Sequence, residues 1–419
     1  ITTIIVILFS IMAAMGTAGW LQWWLTAPSA SSPIIIMTLA VADCVHILVS
    51  MYALMRDGMD KRQALTESMR INMRPVFLTS LTTAIGFIGL NFSDAPPFRD
   101  LGNITAIGVF YAYLLSVIFL PALMFILPIR VSHERAHAHH AMKWMAEFVI
   151  SHRDRIIIFM GITIVVLASF IPRIEFNDEF IKYFDESVEF RAHTDIVTDK
   201  LTGIYEIQYS LDSGETGGIN DPAFLSHVEE FANWYRQQPN VVHVNTITDT
   251  MKRLNMNMHF DDPAWYRLPE QRDLAAQYLL LYEMSLPFGL DLNNTINIDK
   301  SSTRMTVTLQ SIDNIRIREL AAQAAQWLRD NPPVLAEHAA SATIMFAHIA
   351  ERNIKTMLVG TAMAMLMIAV VLIIALRSFK YGILSIVPNF VPAIMGFGIW
   401  AIIDGRVGLA LSVVAGMTL

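Results

Sequence analysis

The stretch 33-PIIIMTLAVADCVHILVSMYALM-55 holds 23 residues and a single charge, Asp43, at its eleventh position. About 20 apolar residues carry a helix across a ~30 Å hydrocarbon core. The stretch therefore predicts a membrane span with a carboxyl group near the bilayer midplane. A carboxylate there costs about 2.5–3.5 kcal/mol on insertion scales. His46 follows three residues on, toward the same face of a helix. An acid and an imidazole so placed are candidates for a proton relay, taking a proton from one side of the membrane and handing it to the other. The alternative is a structural Asp, permanently neutral or paired with a neighbouring helix.

The rest of the chain fits a membrane setting. Its 419 residues are 54% hydrophobic and 16% charged, against roughly 25% charged in ordinary soluble domains. That balance excludes a disordered chain and argues against a wholly soluble one. A formal net charge of −7 argues against a nucleic-acid binder. The single cysteine excludes an internal disulfide framework and a Cys-based zinc site. Charge-free runs cover 75–93, 102–129, 156–172, 356–376, 381–403 and 407–419. They predict helices near 1–26, 33–55, 75–93, 101–129, 156–172, 355–376 and 381–403, with an eighth begun at 407. No segment reads as a cleavable signal peptide. Loop 56–74 carries Arg56, Lys61, Arg62, Arg70 and Arg74; loop 130–155 carries Arg130, Arg135, Lys143, Arg153 and Arg155; loop 377–380 carries Arg377 and Lys380. The opposite short loops hold Arg99 and Arg406. The positive-inside rule places the first set in the cytoplasm and residues 173–354 outside.

The two ends of the chain match each other. Ala13, Met15, Gly16 and Trp20 recur as Ala393, Met395, Gly396 and Trp400, and Met37-Thr38-Leu39 recurs as Met417-Thr418-Leu419, all at an offset of 380. This predicts a tandem duplication with a unit of 380 residues, the sequence beginning inside the first unit and stopping just after the second has reached its next helix. The counterpart of Asp43 would lie four residues past Leu419. Parallel repeats are a common way of building transporters.

Residues 173–354 are long enough for a domain of their own. Residues 204–212 alternate, with Tyr205, Ile207, Tyr209 and Leu211 on one face, as in a strand with one buried side. Residues 222–237 predict a helix with Asp221 as N-cap and Pro222 at its first position. A second strand runs from Val241 to Ile247, and a helical connector covers 271–285. Residues 304–310 alternate again, 315–329 predict a helix, and Ser341 to Ile349 begins as a strand before the next span. The order βαβ, connector, βαβ packs most simply as a split α+β sandwich.

Other candidates are weaker. Thr79, Ser80, Thr82 and Thr83 stripe helix 75–93, and Asn103 with Thr105 stripes the next. They could hydrogen-bond Asp43, although small polar residues between membrane helices more often serve packing. His133 and His137 have metal-ligand spacing beside His139 and His140, and Met256-Asn257-Met258-His259 suggests a soft metal. Neither completes a ligand shell, so no metal site is assigned. With no Gly-rich phosphate loop and no Ser/His/Asp set, neither an ATP-driven machine nor an enzyme is expected, and no cofactor is implied.

The run Leu39-Ala-Val-Ala-Asp43-Cys-Val-His46 resembles the fourth transmembrane helix of the resistance-nodulation-division (RND) superfamily, close to its MMPL-type, hopanoid-exporter-like branch. Asp60 to Met73 resembles the cytoplasmic helix that follows. Arg74-Pro75 to Gly86-Phe87 resembles the fifth helix, and Asp94-Ala-Pro-Pro-Phe-Arg-Asp100-Leu-Gly the turn into the sixth. Tyr183-Phe-Asp-Glu-Ser187 resembles the start of the second external domain.

This resemblance implies a multi-pass α-helical membrane protein with an external α+β, ferredoxin-like porter domain. It implies third to sixth helices in 1–129, a cytoplasmic linker at 130–155, the seventh helix at 156–172, a periplasmic porter-like domain at 173–354, and later helices in 355–419. It implies proton-motive-force-driven export of hydrophobic or amphiphilic substrates, lipids foremost, from a bacterial inner membrane. Asp43 becomes a relay carboxylate, with His46 beside it and Thr79, Thr82, Thr83 and Asn103 as support. Many relatives carry Gly before the Asp and Tyr after it; here Ala40, Ala42 and Cys44 stand instead. The implied partners are membrane lipids, protons and the cargo, with no nucleic acid. Relatives occur as homo-oligomers and as monomers. A sterol-sensing-type lipid sensor and a proton-driven protein-translocation accessory share the bundle and remain as alternatives.

Overall fold

The structure, a computed structural model, describes residues 1–128, 138–175, 180–287, 289–331, 335–336 and 339–408. The chain forms two compact units, one from Ile1–Phe176 with Glu351–Leu419, the other from Asn177–Ala350.

The first unit opens with α1 (Thr2–Trp20) and α2 (Ser32–Arg56). α1 ends six residues short of the expected boundary, in a turn where Gln22 takes a positive φ of 58°. Val6, Ser10, Ala14 and Ala18 form its buried stripe. Small residues there let the backbones come close. A Cβ on Gly108 would run into Ile36 of α2. α2 stops at Gly58, whose φ of 97° suits glycine. α3 (Lys61–Ile88) starts at once, capped by Asp60, whose carboxylate accepts from Gln63 N–H at 2.7 Å. The expected cytoplasmic helix and the span after it are therefore one helix, continuous through Pro75. α4 (Pro96–Leu114) passes through a π-helical turn at Leu115–Phe119 into α5 (Leu120–Ile126). Lys61 Nζ donates to the Phe125 and Leu127 carbonyls at 2.8 and 2.6 Å, satisfying the end of α5. α6 (Ala138–Ser151) and α7 (Arg153–Ala168) follow.

The second unit holds α8 (Glu189–Lys200), β1 (Tyr205–Asp212), α9 (Pro222–Arg236), β2 (Val241–Asn245), α10 (Ile247–Met258), α11 (Arg272–Ser285), β3 (Ser302–Leu309), α12 (Asn314–Asp330) and β4 (Leu335–Ala336). The strands form an antiparallel sheet in the order β2-β3-β1-β4. Ile207, Tyr209 and Leu211 of β1 and Met305, Val307 and Leu309 of β3 share one core with Val228, Phe231 and Tyr235 of α9 and Ile317 and Ala324 of α12. Full burial of side chains of this kind contributes about 1.5–3 kcal/mol each. The Tyr209 and Tyr235 hydroxyls meet at 2.6 Å inside it. The strand expected at Ser341–Ile349 is helical instead. Ala340 bridges Gln208 of β1, and the helix α13 (Ala342–Leu376) begins two residues later.

α13 is longer than the span expected from 355. Its first turns place Ile344 and Ala347 in the core of the second unit, and its remainder belongs to the first. α14 (Phe379–Leu384) and α15 (Val387–Ile403) complete the described helices. Among the described residues, seven segments are long and apolar enough to cross a membrane: Thr2–Trp20, Ser29–Arg56, Lys61–Phe92, Pro96–Ile126, Arg153–Arg173, Ala342–Leu376 and Phe379–Ile403. The eighth helix expected from 407 lies largely outside the described residues.

Candidate functional site

α2 buries one stripe: Ile36, Ala40, Asp43, Cys44, Ile47 and Met51. Asp43 sits at the edge of that stripe and is 6% exposed. Its Oδ2 lies 3.2 Å from Ser80 Oγ on α3. Ser80 Oγ also lies 2.8 Å from the carbonyl oxygen of Val76, one turn back on its own helix. The hydroxyl carries one hydrogen and can also accept one. With Asp43 ionised, Ser80 donates to it. With Asp43 protonated, its O–H donates to Ser80 Oγ, and Ser80 donates to Val76. Both protonation states of the acid thus find a partner without moving a helix.

Further polar contacts hold α2 in register. Ser68 Oγ donates to the Ile47 carbonyl at 2.6 Å, and Asn72 Nδ2 donates to the Ser68 carbonyl at 2.9 Å. Cys44 Sγ lies 3.5 Å from Ser116 Oγ, which the π-helical turn carries. Thr105 Oγ1 donates to Ser32 Oγ at 3.2 Å.

Among the described residues, none of the other sequence candidates hydrogen-bonds the carboxyl group. His46 lies beyond the edge of the buried stripe and is exposed. Among the described residues no hydrogen bond joins it to Asp43. Thr79 is exposed and donates to the Pro75 and Val76 carbonyls, while Thr82 donates to the Leu78 and Thr79 carbonyls. Thr83 is half-buried, with no hydrogen bond to Asp43 among the described residues. Asn103 exchanges amide bonds with Asn91 at 2.8 and 3.2 Å, a whole turn or more from the acid along α3. Ser80, one of four hydroxyls in the sequence stripe, is the one the packing brings to Asp43.

A second buried polar point ties α13 to the end of α3. Asn353 is fully buried, and its Oδ1 accepts from Ser93 Oγ and from Ala95 N–H at 3.3 Å. Beside it Arg352 Nε donates to Asp94 Oδ2 at 2.6 Å. Gly360 and Gly89 allow the close approach, since a Cβ on Gly360 would collide with the Gly89 carbonyl and Phe92.

His133 and His137 lie outside the described residues. His259 stacks on Trp265 at 3.6 Å between ring centroids, and its Nδ1 faces the Asn255 carbonyl at 2.8 Å. Among the described residues no three His, Cys, Asp or Glu side chains gather as a metal shell.

Among the described residues, seven apolar spans, with an α/β unit between the fifth and sixth in chain order, mark a multi-pass helical membrane protein. Residues 1–154 match the MMPL family, so the resemblance read from the sequence holds for that segment. Among solved structures, the chain is similar to SecDF, a translocon-associated membrane protein from Thermus thermophilus, at 15% identity and a TM-score of 0.49, over 99% of this chain and 46% of that one. The chain thus spans about half the length of that protein. No curated protein matches the chain.

Proposed function

We propose that this chain is part of an RND-type secondary transporter that uses the proton gradient to export hydrophobic or amphiphilic molecules, lipids foremost, from a bacterial inner membrane. The observation that carries the reading is the Asp43–Ser80–Val76 arrangement, which gives a buried acid a hydrogen-bond partner in both protonation states. The MMPL match over residues 1–154 supports it. So does the distribution of Lys and Arg, which puts loops 56–74, 130–155 and 377–380 in the cytoplasm and the α/β unit outside.

Asp43 is the proton carrier in this reading and Ser80 its switching partner. His46, on the exposed side of α2, serves as a relay to whatever covers that face. Moving one charge through 100 mV yields about 2.3 kcal/mol. That is of the size needed to bias two arrangements of a helix bundle. The route outward runs along α3 to the turn at 89–95 and across the Asn353 and Arg352 contacts to α13. We read the external unit as a ferredoxin-like porter domain; the βαβ, insertion, βαβ order and the strand order β2-β3-β1-β4 support this.

The test is Asp43→Asn in the full-length protein in proteoliposomes under an imposed pH gradient. Gradient-driven export of a labelled amphiphile should stop while the protein stays folded. Undiminished export overturns the reading.

A further inference from the structure

The two helices inserted between β2 and β3 are joined by a buried side-chain brace. Tyr278 of α11 donates to Asn255 Oδ1 of α10 at 3.3 Å, and Asn255 Nδ2 donates to the Arg267 carbonyl at 2.9 Å. Beside this brace α10 and α11 line a groove of about 670 Å3, with Leu254, Met258 and Leu281 as its apolar part and Asp249 and Arg253 as its charges, among polar Thr250, Asn257 and Ser285. That volume is within the ~300–1,000 Å3 usual for small-molecule sites. Apolar surface is left uncovered around it: Met258 is 45% exposed, Leu281 46% and Met284 76%.

The charges of the groove are unequal in what they have left to bind. Asp249 is taken by Arg236 at 2.8 Å and Lys252 at 3.1 Å, and both cations also hold Glu229. These four side chains neutralise one another. Asp261, on the turn past α10, faces the Asn257 amide nitrogen at 2.8 Å. Arg253 is exposed and makes no ion pair among the described residues. A mixed groove with uncovered apolar side chains and one guanidinium that makes no ion pair among the described residues fits a chain-bearing molecule with an anionic head, because a carboxylate or phosphate meets the planar fork with two parallel bonds.

We propose that the α10–α11 groove binds a single-chain amphiphile with an anionic head, the head on Arg253 and the chain along Leu254, Met258 and Leu281. The proposal rests on the exporter reading only in taking this molecule for cargo; binding itself needs no proton gradient.

The experiment is photolabelling of the full-length protein in zwitterionic nanodiscs with a hexadecanoic acid carrying a terminal diazirine, beside its methyl ester and with inorganic phosphate as competitor. Label should map to peptides within 247–285, with the acid about tenfold more effective than the ester, as expected for one hydrogen-bonded charge pair. Arg253→Gln should level acid and ester, and Arg253→Lys should restore much of the preference. Phosphate should compete weakly, since it lacks the chain. Label spread evenly over the protein, equal labelling by acid and ester in the unaltered protein, or full displacement by phosphate alone overturns the proposal. Asp43→Asn should label as the unaltered protein does, so loss of transport and loss of this site are separable.

Discussion

Ser80 Oγ stands 3.2 Å from Asp43 Oδ2 and 2.8 Å from the Val76 carbonyl oxygen, so one hydroxyl hydrogen has two acceptors on different helices. Removing that hydroxyl leaves the acid without this partner in either state. A lost hydrogen bond to a charged group costs roughly 1.5–3 kcal/mol. Ser80→Ala should therefore slow gradient-driven export by roughly tenfold or more, with little loss of folded protein. Ser80→Thr keeps the hydroxyl and should keep most of the rate. Equal export by Ser80→Ala and the unaltered protein would remove Ser80 from the switch.

The contact of α13 with the 89–95 turn depends on close approach at Gly360. Gly360→Val must push that turn away or fail to pack, an effect of about 1–3 kcal/mol. The melting temperature should fall, and export should fall further than stability does. Arg352→Ala removes only an exposed partner of Asp94 and should change stability by less than about 1 kcal/mol.

Glu229 and Lys252 give the α/β unit a defined pH window. Burial works against the Glu229 charge, but bonds from Lys252 and Thr248 and the charges of Lys252 and Arg236 prevail and hold its carboxyl below the usual range. Its stabilisation is present above the ordinary Glu range and is lost as pH falls through the lowered value. Burial likewise opposes the Lys252 charge, and the Glu229 and Asp249 carboxylates overcome it and raise the ammonium above its usual value. That contribution holds below the ordinary Lys range and fades as pH rises through the raised value. Glu229→Gln should flatten the acid limb of a stability–pH curve measured by thermal melting. An unchanged acid limb contradicts the assignment.

At high pH the buried tyrosine pair takes over. Burial pushes Tyr209 up to about 12, against the hydrogen bond with Tyr235, and holds Tyr235 well above its ordinary value. The unfolded chain ionises near pH 10, so stability is full below that and declines toward pH 12. Tyr209→Phe should cost about 1–3 kcal/mol at neutral pH by leaving the Tyr235 hydroxyl unpaired. Ultraviolet titration should show two fewer tyrosines ionising below pH 11 than the composition contains. Full ionisation there would contradict the buried pair.

Much of this architecture is readable where one period dominates. The apolar run at 33–55 becomes α2 at Ser32–Arg56, and the alternation at 204–212 becomes β1 at Tyr205–Asp212. Asp221 and Pro222 mark the start of α9 because cap and first-turn chemistry are local. The expectation fails at Ser341–Ile349, where β-prone residues are drawn into α13 by the long apolar helix that follows. It misses α10, although Ile247, Met251, Leu254 and Met258 recur at helical spacing between polar residues. At the site, Asp43 is legible as a lone charge in an apolar run. Which hydroxyl it meets depends on how α2 crosses α3, which the stripe of four hydroxyls does not encode. His46, three residues on, is turned about 60° around the helix from Asp43 and so lies outside the buried stripe.

In the proposed cycle Asp43 takes up and gives back a proton. Infrared difference spectroscopy on the full-length protein, with Asp43→Asn as control, reads its carboxyl band directly as pH is changed. A protonated-carboxyl band should grow as pH falls, vanish as it rises, and be missing from Asp43→Asn. A band that stays constant across the accessible pH range, or none that depends on Asp43, contradicts that cycle.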